Sequence, residues 1–499
     1  MTLLDLPLLS GLIVLPMAGA LGAWIVPNGR LARRVALVCG TLELLLALAA
    51  VAAMDFSLSG FQLVERHTWI PTLGVTYLVG VDGLSALFLP ASALLFLATL
   101  VASWNLANRV MPRFYFALLL FFEGVTIGIF CALDTILFFF FWELTLIPIY
   151  FLIALWGMGP NRRHAAVKYT LFMLAGGAAL LFGLLLTTLA HPGPHTFDLT
   201  RLLAAPLSKE AQWPIFFLLL IGFGVKIPIV PLHVWLPIVA MEGPVVIAAI
   251  MTGLKLGAYG LLRFLFPLTP LVARELHWLL TGIAVVTIVY GALSALSQSN
   301  LRRLLAFSSI GHVGLVVLGL SSFTLAGVQG AVAQLLNFSL ISGGLFLLAG
   351  FLHQRLGSTD LIHLGGLFRP LPVLAGFFLF LGLAGMGMPL TSGFPGELLL
   401  LTSALRDHVG SGLAALGGVI LGAGYFLGFY RKAFLGPLGT RVPGDLPALL
   451  PRELAILMVF GLLILVAGWF PDLFLLDPTR AAARAWVEQV GVATVVPMR

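Results

Sequence analysis

The sequence predicts an all-α polytopic membrane protein of about 14 transmembrane helices, with two inverted five-helix repeats that each contain a broken helix. Three observations predict it. Of the 499 residues, 60% are hydrophobic and 9% charged, with a mean hydropathy of +1.08; an ordinary soluble domain carries about 25% charged residues. Apolar runs of roughly 20 residues, the length that crosses a bilayer, recur from end to end. Two of those runs, the seventh and the twelfth, are interrupted by clustered prolines.

Taken in order, the spans fall at about 4–26, 35–54, 78–103, 114–133, 135–157, 167–190, 214–240, 244–266, 277–297, 303–322, 327–352, 371–405, 411–431 and 452–472. Residues 1–113 hold the first three, 114–266 the first repeat (spans 4–8), 267–431 the second (spans 9–13), and 432–499 the last span with its tail. The polar segment 191–213 reads as an interfacial loop with a short helix, and the tail "TRAAARAWVEQV" as amphipathic. The first residues lack a basic region and run straight into an apolar helix, so no cleavable signal is expected. The 55 glycines and 29 prolines suit closely packed, locally broken spans.

Cys39 and Cys131 are the only cysteines, both in apolar runs, so neither a disulfide framework nor a four-cysteine iron–sulfur site is expected in this chain. The net charge of +7 is spread over short loops, which excludes a nucleic-acid surface and instead sets orientation. Of the 27 Lys and Arg, about 16 fall on odd-numbered loops, about six on even-numbered loops and about three in the tail. Odd loops are therefore predicted to be cytoplasmic and both termini to lie outside. The remainder is two lysines within the membrane, Lys226 and Lys255.

The seventh span reads "GFGVKIPIVPLHVWLP" and the twelfth "AGMGMPLTSGFPGE". Each proline removes a backbone donor and clashes with the preceding turn. Unwound backbone at membrane depth is tolerated only where it is enclosed by protein or lines a wet cavity. Breaks at positions seven and twelve imply a five-span unit, and an odd-numbered unit repeated in tandem must be inverted. Lys226 stands at the C-terminal end of one half-helix and Glu397 near the start of another, where the helix dipole favours a cation and an anion respectively.

Glu143, in "FFFFWELTLIPIY", lies roughly 12 Å of helix from the nearer end of its span, too far for a carboxylate to reach water. A charge at the bilayer centre costs about 2.5–3.5 kcal/mol on insertion scales. Glu143, Lys226, Lys255 and Glu397 therefore form the candidate proton-handling set, with Glu143 expected to pair with Lys226. His312 is a relay candidate, with Ser308 and Ser309 able to hold water beside it, and His233 is read as bracing the break in the seventh span. Glu123 is intramembrane and reads equally as relay or structural, Glu43 as structural, and Asp82 and Glu242 as helix caps.

"FFFFWELTLIPIYFLIALWG", "VKIPIVPLHVWLP", "LLAFSSIGHVG" and "GMPLTSGFPGE" together resemble the antiporter-like M-subunit family of bacterial NADH–quinone oxidoreductase, respiratory complex I. The resemblance covers spans 3 to 13. It implies a 14-helix membrane-arm subunit related to Mrp-type cation/proton antiporters, which moves H+ while quinone is reduced elsewhere. It assigns Glu143 and Lys226 to the coupling pair, Lys255 to the central relay, Glu397 to the exit side, and His312 to the family's tenth-span histidine. It implies a proton-translocating enzyme complex in a bacterial inner membrane, with NADH, FMN, iron–sulfur clusters and quinone held by partner subunits and with L-, N- and K-type neighbours. The chain departs from the family at Ile238 and Ala240, in "WLPIVAMEGP", and at Phe338, which replaces an eleventh-span histidine and leaves Asn337 or water to serve there. Alternatives are an Mrp-type Na+/H+ antiporter or membrane-bound hydrogenase subunit, a CO2-uptake paralogue, a stand-alone solute carrier, and a spacer that has lost conduction.

Overall fold

The computed structural model describes residues 7–104, 110–439, 441–443 and 446–492. Arg109 and Arg499 of the charge count, and the start of the first predicted span, lie outside them. The chain opens with α1 (Leu8–Ile25) and α2 (Gly29–Ala52). Asn28 caps α2 by accepting the Leu31 N–H at 2.9 Å.

The first correction follows. β1 (Gln62–Ile70) and β2 (Val75–Val81) form an antiparallel hairpin that turns at Gly74, φ +71°. The alternating β-branched and aromatic residues of "VTYLVGV" satisfy a strand, and an apolar stretch of that length does not distinguish strand from helix. The fold is therefore not wholly helical, and the third span begins at Phe88 in α3 (Phe88–Ala102), not near residue 78.

Behind it lies α4 (Pro112–Cys131), entered through a proline at its first position. The predicted fifth span is divided into α5 (Thr135–Leu144) and α6 (Leu146–Trp156), with Thr145 between them. Pro148 supplies the cause, because its ring conflicts with the carbonyl four residues back, that of Leu144. α7 (Arg162–Ala190) leads into the expected short interfacial helix α8 (Leu199–Ala204), capped by Asp198. α9 (Lys209–Lys226) and α10 (Trp235–Glu242) are the two halves of the seventh span.

The eighth span is also broken, which the sequence did not announce with a proline. α11 (Val245–Gly253) ends before Lys255, and α12 (Leu256–Gly260) passes through a π-helical turn at Leu261–Leu265 into α13 (Phe266–Leu268) and α14 (Pro270–Glu275). The chain continues with α15 (His277–Leu296), α16 (Leu301–Ser321) and α17 (Leu325–Leu356). The twelfth span is halved as predicted into α18 (Pro372–Gly385) and α19 (Gly393–Asp407). α20 (Val409–Phe434), α21 (Pro451–Trp469) and α22 (Asp477–Val492) complete the chain.

Eleven helical segments among the described residues are long and apolar enough to cross a membrane, two of them, Thr135–Trp156 and Val245–Leu268, taken across their internal breaks. α4, α16 and α17 are almost wholly enclosed, whereas α2, α7, α15, α20 and α21 expose Val38, Phe182, Trp278, Ile420 and Leu462. An apolar outer face over a more polar interior is the arrangement of a multi-pass membrane protein. The amphipathic α22 is tied down by Trp486 Nε1, which donates to the Leu262 carbonyl at 2.7 Å. Asp82 caps its turn by accepting the N–H groups of Leu84 and Ser85. Glu242, at the end of α10, accepts the Asn161 N–H at the foot of α7. The charge count also needs correcting at Arg263, which is not in a loop but buried against Asp82.

Candidate functional site

Each of the four intramembrane charges stands at or next to an interruption in a helix. Lys226 is the last residue of α9, where the unpaired carbonyls at a C-terminus favour a cation. Its ammonium donates to Thr145 Oγ1 at 2.8 Å and to the Trp142 carbonyl at 3.2 Å, and lies 4.0 Å from the centre of the Trp142 ring. The kink above Pro148 leaves Thr145 and the Trp142 carbonyl turned towards it. The expected contact with Glu143 is absent: the two charges feel each other, but no ion pair joins them within 4.0 Å among the described residues. Glu143 is half-buried, with its carboxylate over Gly177 of α7, where any side chain would collide with it.

Lys255 occupies the gap between α11 and α12 and is 5% exposed. Its ammonium donates to Ser309 Oγ at 2.5 Å, with the Phe338 ring centre at 5.7 Å. Gly253 and Gly257 flank it; the first faces Leu95 and Ser339, the second the backbone of Phe223 and Ile227. They are helix contacts, as expected, and they also let two backbones close around a lysine that has left the helix.

From Ser309 the polar groups continue. Ser308 Oγ lies 2.6 Å from the Tyr425 hydroxyl and 3.4 Å from His312 Nδ1. His312 Nδ1 faces the Ser308 carbonyl at 2.8 Å, and Nε2 faces the Gly385 carbonyl at 2.9 Å. Both ring nitrogens thus meet acceptors, and only the imidazolium donates to both. Glu397 Oε1 lies 3.8 Å from Nε2 and is buried without a hydrogen-bond partner. Phe338 stands on one side of this run, its ring centre 6.3 Å from that of His312. Its ring thus borders both Lys255 and His312, and the serines are the polar groups beside it.

Small cavities adjoin these groups. One of about 20 Å³, lined by Thr126, Tyr169, Lys226, Leu254 and Leu256, reaches from Lys226 towards the residues flanking Lys255. Two more, of about 20 and 30 Å³, border Ser308, His312 and Tyr425; the first also touches Glu397 and the second Gln334 and Asn337. About 10–15 Å³ of such space holds one water, so each has room for one or two. Asn337 donates to the Ser392 carbonyl at 2.7 Å in the break between α18 and α19.

The structure thus gathers Lys255, Ser309, Ser308, His312 and Glu397 into one run, with Glu143 and Lys226 at its other end. His233 lies apart in the unwound segment, with Nδ1 buried without a hydrogen-bond partner and its ring centre 4.7 Å from that of Tyr290. Glu123 also lies apart, on α4, with both oxygens buried and unpartnered. Thr145, Tyr169, Tyr425 and Gln334 were not singled out from the sequence. Gln334 could have been, because it lies three residues before Asn337 on the same helix face.

Gly387 provides a local test. It links α18 to α19 at φ +66°, and a Cβ there would strike Glu397 Oε2. Gly387→Ala is expected to cost about 1–2 kcal/mol from the left-handed backbone alone and to displace the carboxylate. The thermal midpoint of the purified assembly should fall, and an unchanged midpoint would contradict this account.

The family model described as "NADH:quinone oxidoreductase/Mrp antiporter, TM" matches residues 132–422, which contain Glu143, Lys226, His233, Lys255, Ser308, Ser309, His312, Asn337 and Glu397 but not Glu123, Thr126 or Tyr425. The chain belongs to this family. "NAD(P)H-quinone oxidoreductase chain 4 1" of Synechococcus sp. (strain JA-2-3B'a(2-13)) is 37% identical over 99% of this chain and 95% of its own. "NADH-quinone oxidoreductase subunit M" of Pseudomonas aeruginosa is 34% identical over 97% and 98%. A chain of respiratory complex I from Thermus thermophilus superposes with TM-score 0.89 at 31% identity, covering 97% of this chain and 100% of that one. A chain of the Mrp complex from Dietzia sp. DQ12-45-1b shares the fold, with TM-score 0.82 at 22% identity over 97% and 99%.

Proposed function

We propose that this chain is a proton-translocating, antiporter-like subunit of a complex I-type quinone oxidoreductase. It crosses a bacterial inner membrane about 14 times, in two inverted five-span repeats over residues 114–266 and 267–431, with both termini on the periplasmic side. The observation that carries the reading is the run Lys255–Ser309–Ser308–His312–Glu397, entirely within the membrane-spanning part of the molecule, with hydrogen bonds from Lys255 to Ser309 and between Ser308 and His312 and with Glu397 3.8 Å from His312. Such groups are costly in a bilayer, and a proton path accounts for their alignment.

In this reading Lys226 holds its proton on Thr145 while separated from Glu143, and closure of that pair changes its hold on the proton. Transfer then runs through the cavity beside Thr126 and Tyr169 to Lys255, around Phe338 by way of the serines, and through His312 to Glu397. Redox chemistry belongs to partner subunits, which would carry NADH, FMN, iron–sulfur clusters and quinone, and L-, N- and K-type membrane subunits would flank this one.

The test is a reconstituted complex carrying Glu143→Ala or Lys226→Ala. Each should lose proton pumping, measured as a pH gradient per electron transferred. Normal pumping by both refutes the assignment. A gradient that follows external Na+ instead would favour the Mrp-type reading.

A further inference from the structure

The Glu143–Glu397 line leaves one cluster of intramembrane acids unused. Glu43 on α2 and Glu123 on α4 are both 0% exposed, and all four of their carboxyl oxygens are buried without a hydrogen-bond partner. Their helices meet at one point: a side chain at Gly19 of α1 would strike Cys39 Sγ of α2 and Leu120 of α4. One turn further along each helix lie Glu43 and Glu123, about 14 and about 12 Å of helix from the ends that face the hairpin. The two carboxyl groups act on each other electrostatically.

Among the described residues no cation pairs with them. α1 and α3, which pack against both helices, contain no titratable side chain, and α5, α6 and β2, which pack against α4, bring Glu143, Tyr150 and Tyr77 but no base. The nearest basic residues on α2 and α4 themselves, Arg34 and Arg113, lie nine and ten residues away, about 14 and 15 Å along the axis. Two ionised carboxylates at such a place would repel each other with no solvent to screen them, and a pair of that kind retains a proton between its members.

A separate polar cluster stands at the hairpin end of these helices, beyond the apolar residues 44–52 of α2. Cys131, buried at the end of α4, lies within the field of both Glu43 and Glu65. Glu65 of β1 caps α1, accepting the Leu9 N–H at 2.8 Å, the Ser10 N–H at 3.2 Å and the Ser10 hydroxyl. Ser10 Oγ lies 2.9 Å from the Tyr77 hydroxyl, and the Tyr77 ring centre is 6.1 Å from that of the exposed His67.

We propose that Glu43 and Glu123 form a proton-binding carboxyl pair that shares one proton and exchanges it with the hairpin face through Glu65, Ser10 and Tyr77. The site stands beside the Glu143–Glu397 line, and its test does not require that line to conduct. The intact complex is placed in lipid nanodiscs, and the carbonyl stretch of neutral carboxylic acids is followed by difference infrared spectroscopy as pH is changed. Glu43→Gln and Glu123→Gln should each shift the same band, because the acid left alone in that apolar site keeps the proton but loses its carboxyl partner, whereas Glu143→Gln should leave it unchanged. Tyr77→Phe should slow deuterium exchange of that band. An unshifted band in either pair variant, two bands that respond independently, or a band abolished by Na+ at fixed pH would each overturn the proposal. Should the Gln variants not assemble, Glu43→Asp keeps the acid and must shift the band; an unshifted band overturns the proposal as well.

Discussion

Lys255→Met, in an assembled and reconstituted complex, is expected to stop proton transfer through this chain while leaving its fold standing. Methionine matches the length of the lysine stem but carries no proton. Lys255 is joined by no ion pair among the described residues; its ammonium is satisfied by Ser309 Oγ at 2.5 Å. Its removal therefore strands no buried counter-charge, and the freed serine can turn to a carbonyl of its own helix. The proton path, by contrast, loses its middle member. A positioned acid–base group contributes about 10²–10⁴-fold to a proton transfer, so pumping per electron should fall by roughly 100-fold or more. Dye-monitored acidification of proteoliposomes, normalised to electron flux, reads this directly. Wild-type coupling in Lys255→Met would remove Lys255 from the path and reduce Ser309 and His312 to structural residues.

The charges in the bilayer were legible because they admit few bland explanations, and the seventh and twelfth breaks because proline marks them. The break at Thr145 was legible only indirectly. Pro148 acts on the carbonyl four residues back, so the interruption lies ahead of the residue that causes it. The break at Lys255 carried no such mark: Gly253 and Gly257 suit close helix packing equally well, and it is the three-dimensional approach of Phe223, Ile227 and Ser339 that shows their second use. The separation of Lys226 from Glu143 was invisible for another reason. Thr145, in "WELTLIP", is an ordinary helix residue until the kink turns it towards the ammonium. The hairpin was missed because hydropathy over a stretch as short as residues 75–81 has no period long enough to exclude a helix. Arg263 was filed with the loops because it lies near a predicted span end, and its partner is 181 residues away.

That partner makes Arg263 the site of the second large effect. Its Nη1 donates to Asp82 Oδ2 at 2.8 Å and its Nη2 to Asp82 Oδ1 at 2.5 Å, while Nε reaches the Tyr259 hydroxyl at 3.3 Å. Tyr259 in turn donates to the Phe130 carbonyl at 2.9 Å, so the guanidinium links the turn before α3, the end of α4 and the π-helical turn after α12. Arg263 is 6% exposed and Asp82 4%, so Arg263→Met leaves a carboxylate enclosed without its cation. Breaking a buried pair from one side costs about 3–5 kcal/mol, enough to empty the native state of a marginally stable assembly. The expected result is little or no assembled complex on a native gel. Arg263→Lys should recover part of it, since an ammonium restores the charge but not the two-pronged geometry. The informative variant is Arg263→Met combined with Asp82→Asn, which removes both charges and keeps an acceptor for the Leu84 and Ser85 N–H groups. Because the cost comes from the unpaired charge more than from loss of the bridge itself, the double variant should assemble better than Arg263→Met alone. Equal deficits in the two would mean that the guanidinium stabilises this corner through Tyr259 and packing, and not through its carboxylate.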